Sequence, residues 1–192
     1  MSENLFAQIA AQQQAAAASA SPVSYILPSN KDWIRAQNVL KIYVVCHPIT
    51  CTSGNGTTNH WTLVFDIGDG RSVEMNAQPD PQRPYINGGM KASIVISSLS
   101  YVVPSVAVRC DSVQVAHSRT VGFYVDYLES GGHFRYAFTS NGVGCRYWIT
   151  NTLKLWAEAG EVSITDVASA RHVISHLWPD NRIDEPAVGT YF

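Results

Sequence analysis

Residues 60–77 read His-Trp-Thr-Leu-Val-Phe-Asp-Ile-Gly-Asp-Gly-Arg-Ser-Val-Glu-Met-Asn-Ala. Two runs rich in β-branched and aromatic side chains flank Gly68-Asp69-Gly70, the composition of a tight reversal between antiparallel strands. The stretch therefore predicts a hairpin of His60–Ile67 and Arg71–Ala77. Because strand side chains alternate, Trp61, Leu63, Phe65 and Ile67 fall on the greasier face, and His60, Thr62, Val64 and Asp66 on the other. In the returning strand Glu74 and Asn76 take one face, Val73 and Met75 the other.

Working outward from the hairpin, Leu40–Cys46 reads as a further strand that Pro48 interrupts, and Thr50–Asn59 as a polar loop with Gly54 and Gly56. Downstream, Pro79, Pro81 and Pro84 enforce a loop up to Gly88-Gly89, followed by strands at Ala92–Val102 and Ser105–Val115. The period then changes. Val121, Val125 and Leu128 share a helical face that Ser130-Gly131-Gly132 ends, and Cys145, Trp148, Ile149, Thr152, Leu153 and Trp156 share another that Gly160 ends. Thr165 caps a last helix with Val167, Ala170, Ile174 and Leu177 on its buried side, stopped by Pro179. The expected fold class is α+β: an antiparallel β-sheet from the first half, packed by helices of the second.

The chain has 192 residues, of which 46% are apolar and 15% charged, enough for one domain with a sizeable core. Residues 1–37 are expected to be a mobile N-terminal arm, and 38–192 a single α+β domain. The first residues lack a basic n-region and a continuous apolar h-region, so they do not read as a signal peptide, and no stretch is long enough to span a bilayer. A net charge of −2 with scattered Lys and Arg offers no basic stripe, which argues against nucleic acid as a partner. Cys46, Cys51, Cys110 and Cys145 lack the dense spacing of a secreted disulfide framework, so reduced thiols and a cytoplasmic setting are expected, a Cys46–Cys51 bridge remaining open. Oligomeric state is not legible in the sequence.

The chemistry turns on Cys145. Gly142 and Gly144 precede it, and it opens a helix, where unpaired N–H groups and the helix dipole lower a thiol pKa. A thiol nucleophile needs a base, and His60 supplies an imidazole at the start of a strand. Either Glu74 or Asn76 could orient that imidazole from the returning strand; a symmetric hairpin favours Asn76, and makes Cys145, His60 and Asn76 the candidate catalytic set. Trp61, Tyr147 and Trp148, with Glu74, are the candidate substrate-binding residues. Taken singly, each has a plainer role: Cys145 as a buried packing residue, His60 as a strand-edge histidine, Asn76 as a turn-flanking amide.

Metal chemistry is less well supported. Cys46, His47, Cys51 and His60 have the right side chains but not the spacing of a zinc finger, and His172 and His176 lack a glutamate partner and an evident third ligand. Neither metal nor cofactor is expected. Asp111, His117 and Ser118 lack the glycines of a nucleophile elbow.

A strand-borne histidine, a polar residue on the next strand and a later helix-leading cysteine resemble the circularly permuted NlpC-type, papain-like enzymes, a group that includes lecithin retinol acyltransferase. The Asn59-His60-Trp61 and Gly144-Cys145-Arg146-Tyr147-Trp148 strings also resemble an uncharacterised group of fungal proteins, over roughly residues 38–178. The first resemblance implies a permuted papain-like fold and hydrolysis or transfer of acyl groups of a small molecule or peptide through a cysteinyl thioester. This chain departs from the acyltransferases in its longer interval between His60 and Asn76 and in carrying an amide where they usually carry histidine. Two other classes stay open: a natural-product cyclase or isomerase using His60 as acid or base, and a non-catalytic binding protein in which the two strings only hold the core together.

Overall fold

In the computed structural model, which describes residues 21–51, 56–83 and 85–192, the chain begins with β1 (Val23–Tyr25), a 3-10 turn (Pro28–Asn30) and α1 (Lys31–Ala36). Five long strands follow: β2 (Asn38–Cys51), β3 (Thr57–Gly68), β4 (Arg71–Pro79), β5 (Met90–Leu99) and β6 (Arg109–Thr120). Then come α2 (Val121–Ser130), β7 (Tyr136–Phe138), α3 (Cys145–Glu158), α4 (Ile164–Ile174), β8 (His176–Leu177), β9 (Arg182–Ile183) and β10 (Thr190–Tyr191). The main sheet has the order β10-β7-β5-β4-β3-β2-β6, with β1 added parallel to β5. The fold is α+β, a curled antiparallel sheet with helices packed on it.

The β3–β4 hairpin forms where the sequence places it. Its two-residue turn has Asp69 at φ 56° and Gly70 at φ 68°, the left-handed pair that matches the twist of the flanking strands. The greasy face of β3 becomes the core: Phe65 lies 5.6 Å from Tyr124 of α2, which in turn lies 4.9 Å from Trp156 of α3, centroid to centroid. Ile42 and Val44 from β2, Met75 from β4 and Ile94 and Ile96 from β5 are wholly buried beside them.

Several boundaries differ from expectation, each for a local reason. β2 runs through Pro48 because a bulge between Cys46 and Ile49 lifts His47 and Pro48 out of the β2–β3 ladder, where a missing N–H is harmless. The expected loop from Thr50 shortens accordingly, and its residues 52–55 lie outside the described residues. β6 starts and ends later than Ser105–Val115, since its partner β2 pairs with it from Cys46↔Arg109 to Asn38↔Thr120. The last long helix is capped by Ser163, whose Oγ accepts from the Asp166 N–H at 3.2 Å, and Thr165 sits inside it. Leu177 belongs to β8, not to that helix.

The expected arm is also corrected. Residues 1–20 lie outside the described residues, but Val23–Tyr25 pair with Ile94–Ile96, and Ile34 of α1 is wholly buried. An apolar residue every few positions gives this segment something to bury. Among the described residues no helix is long and apolar enough to cross a membrane, and all four cysteines are free thiols.

Candidate active site

β3 and β4 remain paired only as far as Leu63↔Met75; beyond it the strands part, β3 staying with β2 and β4 with β5. The N-terminus of α3 is presented to this opening. Gly144 takes φ 151°, and a Cβ there would lie 2.7 Å from the Tyr136 hydroxyl and 3.1 Å from Phe138 Cδ1. Only glycine fits the approach. The same Tyr136 hydroxyl fixes it, donating to the Gly144 carbonyl at 2.9 Å.

Cys145, the first residue of α3, is 7% exposed. Its thiol faces His60 and the Trp61 backbone N–H, and both favour the thiolate. His60 completes the set by donating from Nε2 to Asn76 Oδ1 at 2.8 Å, which leaves Nδ1 for the thiol.

The electrostatics of the two groups are reciprocal. Burial raises the Cys145 pKa, but the bond and charge of His60, the Trp61 N–H and the neighbouring Arg146 guanidinium outweigh it, so the thiol titrates below its ordinary range. Burial lowers the His60 pKa, but the bond and charge of the thiolate, with smaller help from Asn76 and the Glu74 carboxylate, hold it above the usual imidazole value. Each partner favours the charged form of the other.

The pair opens on a cleft of about 720 Å³. Pro48, Pro79, Met90, Phe138 and Val143 give it apolar walls, and Thr50, Thr58, Gln78 and Asn141 uncharged polar ones.

A family model described as "Domain of unknown function (DUF7770)" matches residues 42–192, a span that contains His60, Asn76 and Cys145. The chain belongs to the DUF7770 family. No curated protein and no solved structure matches it.

In this DUF7770 chain the four residues assigned to substrate fare differently from the catalytic set. Trp61 and Trp148 are wholly buried, Trp148 donating from Nε1 to the His133 carbonyl at 3.1 Å, so both are core rather than cleft. Their spacing on the greasy faces of β3 and α3 explains it. Tyr147 turns with the helix away from the cleft and lines separate cavities beside Asn151. Glu74 does not line the cleft either; its carboxylate lies 3.8 Å from His47 Nε2.

His47 was not legible as a site residue. Freed by the bulge, it lines the cleft, its ring centroid 5.6 Å from that of His60 and its Nε2 3.0 Å from Thr62 Oγ1. Burial and the charge on His60 push its pKa down, which favours its neutral form. Proline after the histidine was the sole cue, since proline within a strand marks an edge or a bulge. Cys46 is sealed in the core, where burial pushes its thiol up to about 12, so it offers no metal ligand beside His47. Among the described residues no cluster of three metal-ligating side chains occurs. His172 and His176 meet edge to face with ring centroids 4.7 Å apart, but His176 Nδ1 is bonded to the His172 carbonyl at 2.8 Å.

Proposed function

We propose that the protein is a cysteine-dependent hydrolase or acyltransferase that acts on an amide, ester or thioester of a small molecule or peptide. The observation that carries the reading is that Cys145 and the Asn76-bonded His60 line one cleft together, with a lowered thiol pKa and a raised imidazole pKa. The likeness to the permuted NlpC-type enzymes supports it independently, through the order histidine, polar residue, cysteine. With it goes the proposal of a reducing, cytoplasmic setting, which keeps the thiol reactive.

In the first step the Cys145 thiolate attacks the acyl carbon, and the bond to the leaving group breaks as the His60 imidazolium gives that group its proton. A thioester to Cys145 is left, with His60 neutral. Water or an amine then yields a proton to His60 and attacks the thioester carbon, expelling the thiolate. The first helical hydrogen bond of α3 is Trp148 N–H to Gly144 O at 3.0 Å, so earlier N–H groups are unspent by the helix and suit a developing oxyanion. Asn76 holds the imidazole tautomer. Away from Arg146, which is paired with Asp184, the apolar and uncharged polar walls suit a neutral acyl donor.

Incubation with a p-nitrophenyl ester and intact-mass analysis tests the reading. One acyl group per chain, mapped to Cys145 and absent from Cys145→Ala, is expected; an ester hydrolysed equally by Cys145→Ala would refute it.

A further inference from the structure

Each of the two strings that carry the catalytic pair also carries a buried polar neighbour, Asn59 away from the cleft and Arg146 at its wall. Asn59, just before His60, is 1% exposed, and Arg146, just after Cys145, is 6% exposed. Buried amides and guanidinium groups persist where their hydrogen bonds are met. Asn59 Nδ2 donates to the carbonyls of His47 and Trp178, both at 3.0 Å, and Oδ1 accepts from the Trp178 N–H at 2.7 Å. Arg146 Nη1 donates to the carbonyls of Ile174 at 3.2 Å and Asp184 at 2.6 Å, while Nη2 pairs with the Asp184 carboxylate at 2.6 Å.

Both residues therefore grip one object. Trp178 directly follows β8 and Asp184 directly follows β9, the two strands of one small hairpin. That hairpin is tied to the end of α4, the Asp184 N–H bonding the Ser175 carbonyl at 2.8 Å and Trp178 Nε1 the Val173 carbonyl at 3.0 Å. Apolar packing of α3 on β3 is non-directional and tolerates sliding, whereas two sets of hydrogen bonds to one rigid hairpin do not.

We infer that the β8–β9 hairpin braces β3 against α3 and so sets the separation of His60 from Cys145, with Asn59 and Arg146 as positioning residues. The inference rests on the thiol-enzyme reading and explains why Asn precedes the histidine and Arg follows the cysteine. Displacement of a reacting group by about an ångström costs on the order of a hundredfold in rate, so a brace of this kind matters chemically.

The test is the pH profile of Cys145 alkylation in Asn59→Ala, Asp184→Ala and Arg146→Lys, with Lys154→Ala as a surface control. Charge and position act in opposite directions for Asp184→Ala: removing the carboxylate leaves the Arg146 cation uncompensated, which by charge alone moves the thiol midpoint down. Loss of the brace moves it up. We expect all three variants to move the midpoint upward and to slow acylation by ester at least about tenfold, with Lys154→Ala unchanged. For any variant that does not fold, hydrogen exchange on the wild-type protein in rising denaturant substitutes: Trp178 amide protection and Cys145 activation should be lost together. Folded variants that keep the wild-type midpoint, an Asp184→Ala midpoint that falls, or a Trp178 amide that exchanges freely while Cys145 stays activated would overturn the brace alone. An unactivated wild-type Cys145 would overturn the thiol reading and the brace with it.

Discussion

His60 reaches Asn76 along a diagonal of the hairpin, not across it. The β3–β4 register pairs Leu63 with Met75 and Val64 with Glu74, so its continuation sets Thr62, not His60, opposite Asn76. The 2.8 Å bond nevertheless forms, because both side chains lie on one face where the strands begin to separate, and diagonal neighbours lie within reach of long side chains.

Asn76→Ala should lower acylation at Cys145 while leaving the fold intact. A hydrogen bond to an ionised group contributes about 1.5–3 kcal/mol, which corresponds to roughly 10–150-fold in rate. Single-turnover acylation with unchanged circular dichroism checks it; a variant as fast as the wild type would remove Asn76 from the site.

The choice of Asn76 thus stands on alternation of faces and not on the symmetric register from which the sequence suggested it. The hairpin, the helix that starts at Cys145 and the α+β class were legible because each rests on local periodicity and on glycine at turns. The bulge at His47-Pro48, the short β7 and the β8–β9 hairpin were not, since they depend on partners far along the chain. For the same reason the hydrogen bonds that Asn59 and Arg146 make to that hairpin are not legible in the sequence. Trp61 and Trp148 drew attention as aromatics near a reactive pair, yet their own alternation placed them in the core.

Trp148→Ala should act on stability and not on substrate choice. Truncating a wholly buried tryptophan costs about 3–5 kcal/mol, and at 2–4 °C per kcal/mol a chain of this size should lose roughly 6–20 °C in melting temperature. Thermal melts and the relative rates on two esters separate the cases; altered ester preference with an unchanged melt would return Trp148 to the cleft.

Gly144→Ala should disable the site by pushing α3 away. The added methyl meets Tyr136 and Phe138 in a backbone region that non-glycine residues enter at a cost of about 1–3 kcal/mol. Tyr136→Phe, which deletes the hydroxyl and with it the bond to the Gly144 carbonyl, should cost about 1 kcal/mol. Denaturant titration reads both; a Gly144→Ala protein as stable and reactive as the wild type would contradict the role of the close approach.

Turnover should have a bell-shaped pH profile. The lowered Cys145 value should lie below the raised His60 value, so that as pH rises the thiolate forms first, the imidazolium is lost later, and the pair exists between the two. His47, whose pKa is pushed down, should lose its proton at lower pH than His60. A rate that climbs steadily through the ordinary thiol range, without an acid limb below it, would contradict the ion pair.

The most direct test of the central claim is the alkylation rate of each cysteine against pH, followed site by site by mass spectrometry on the folded protein. Cys145 should react fastest, with a midpoint well below the free-thiol value of about 8.5, while sealed Cys46 stays inert. A Cys145 that remains unreactive until the chain unfolds would make it a core residue and end the thiol-enzyme reading.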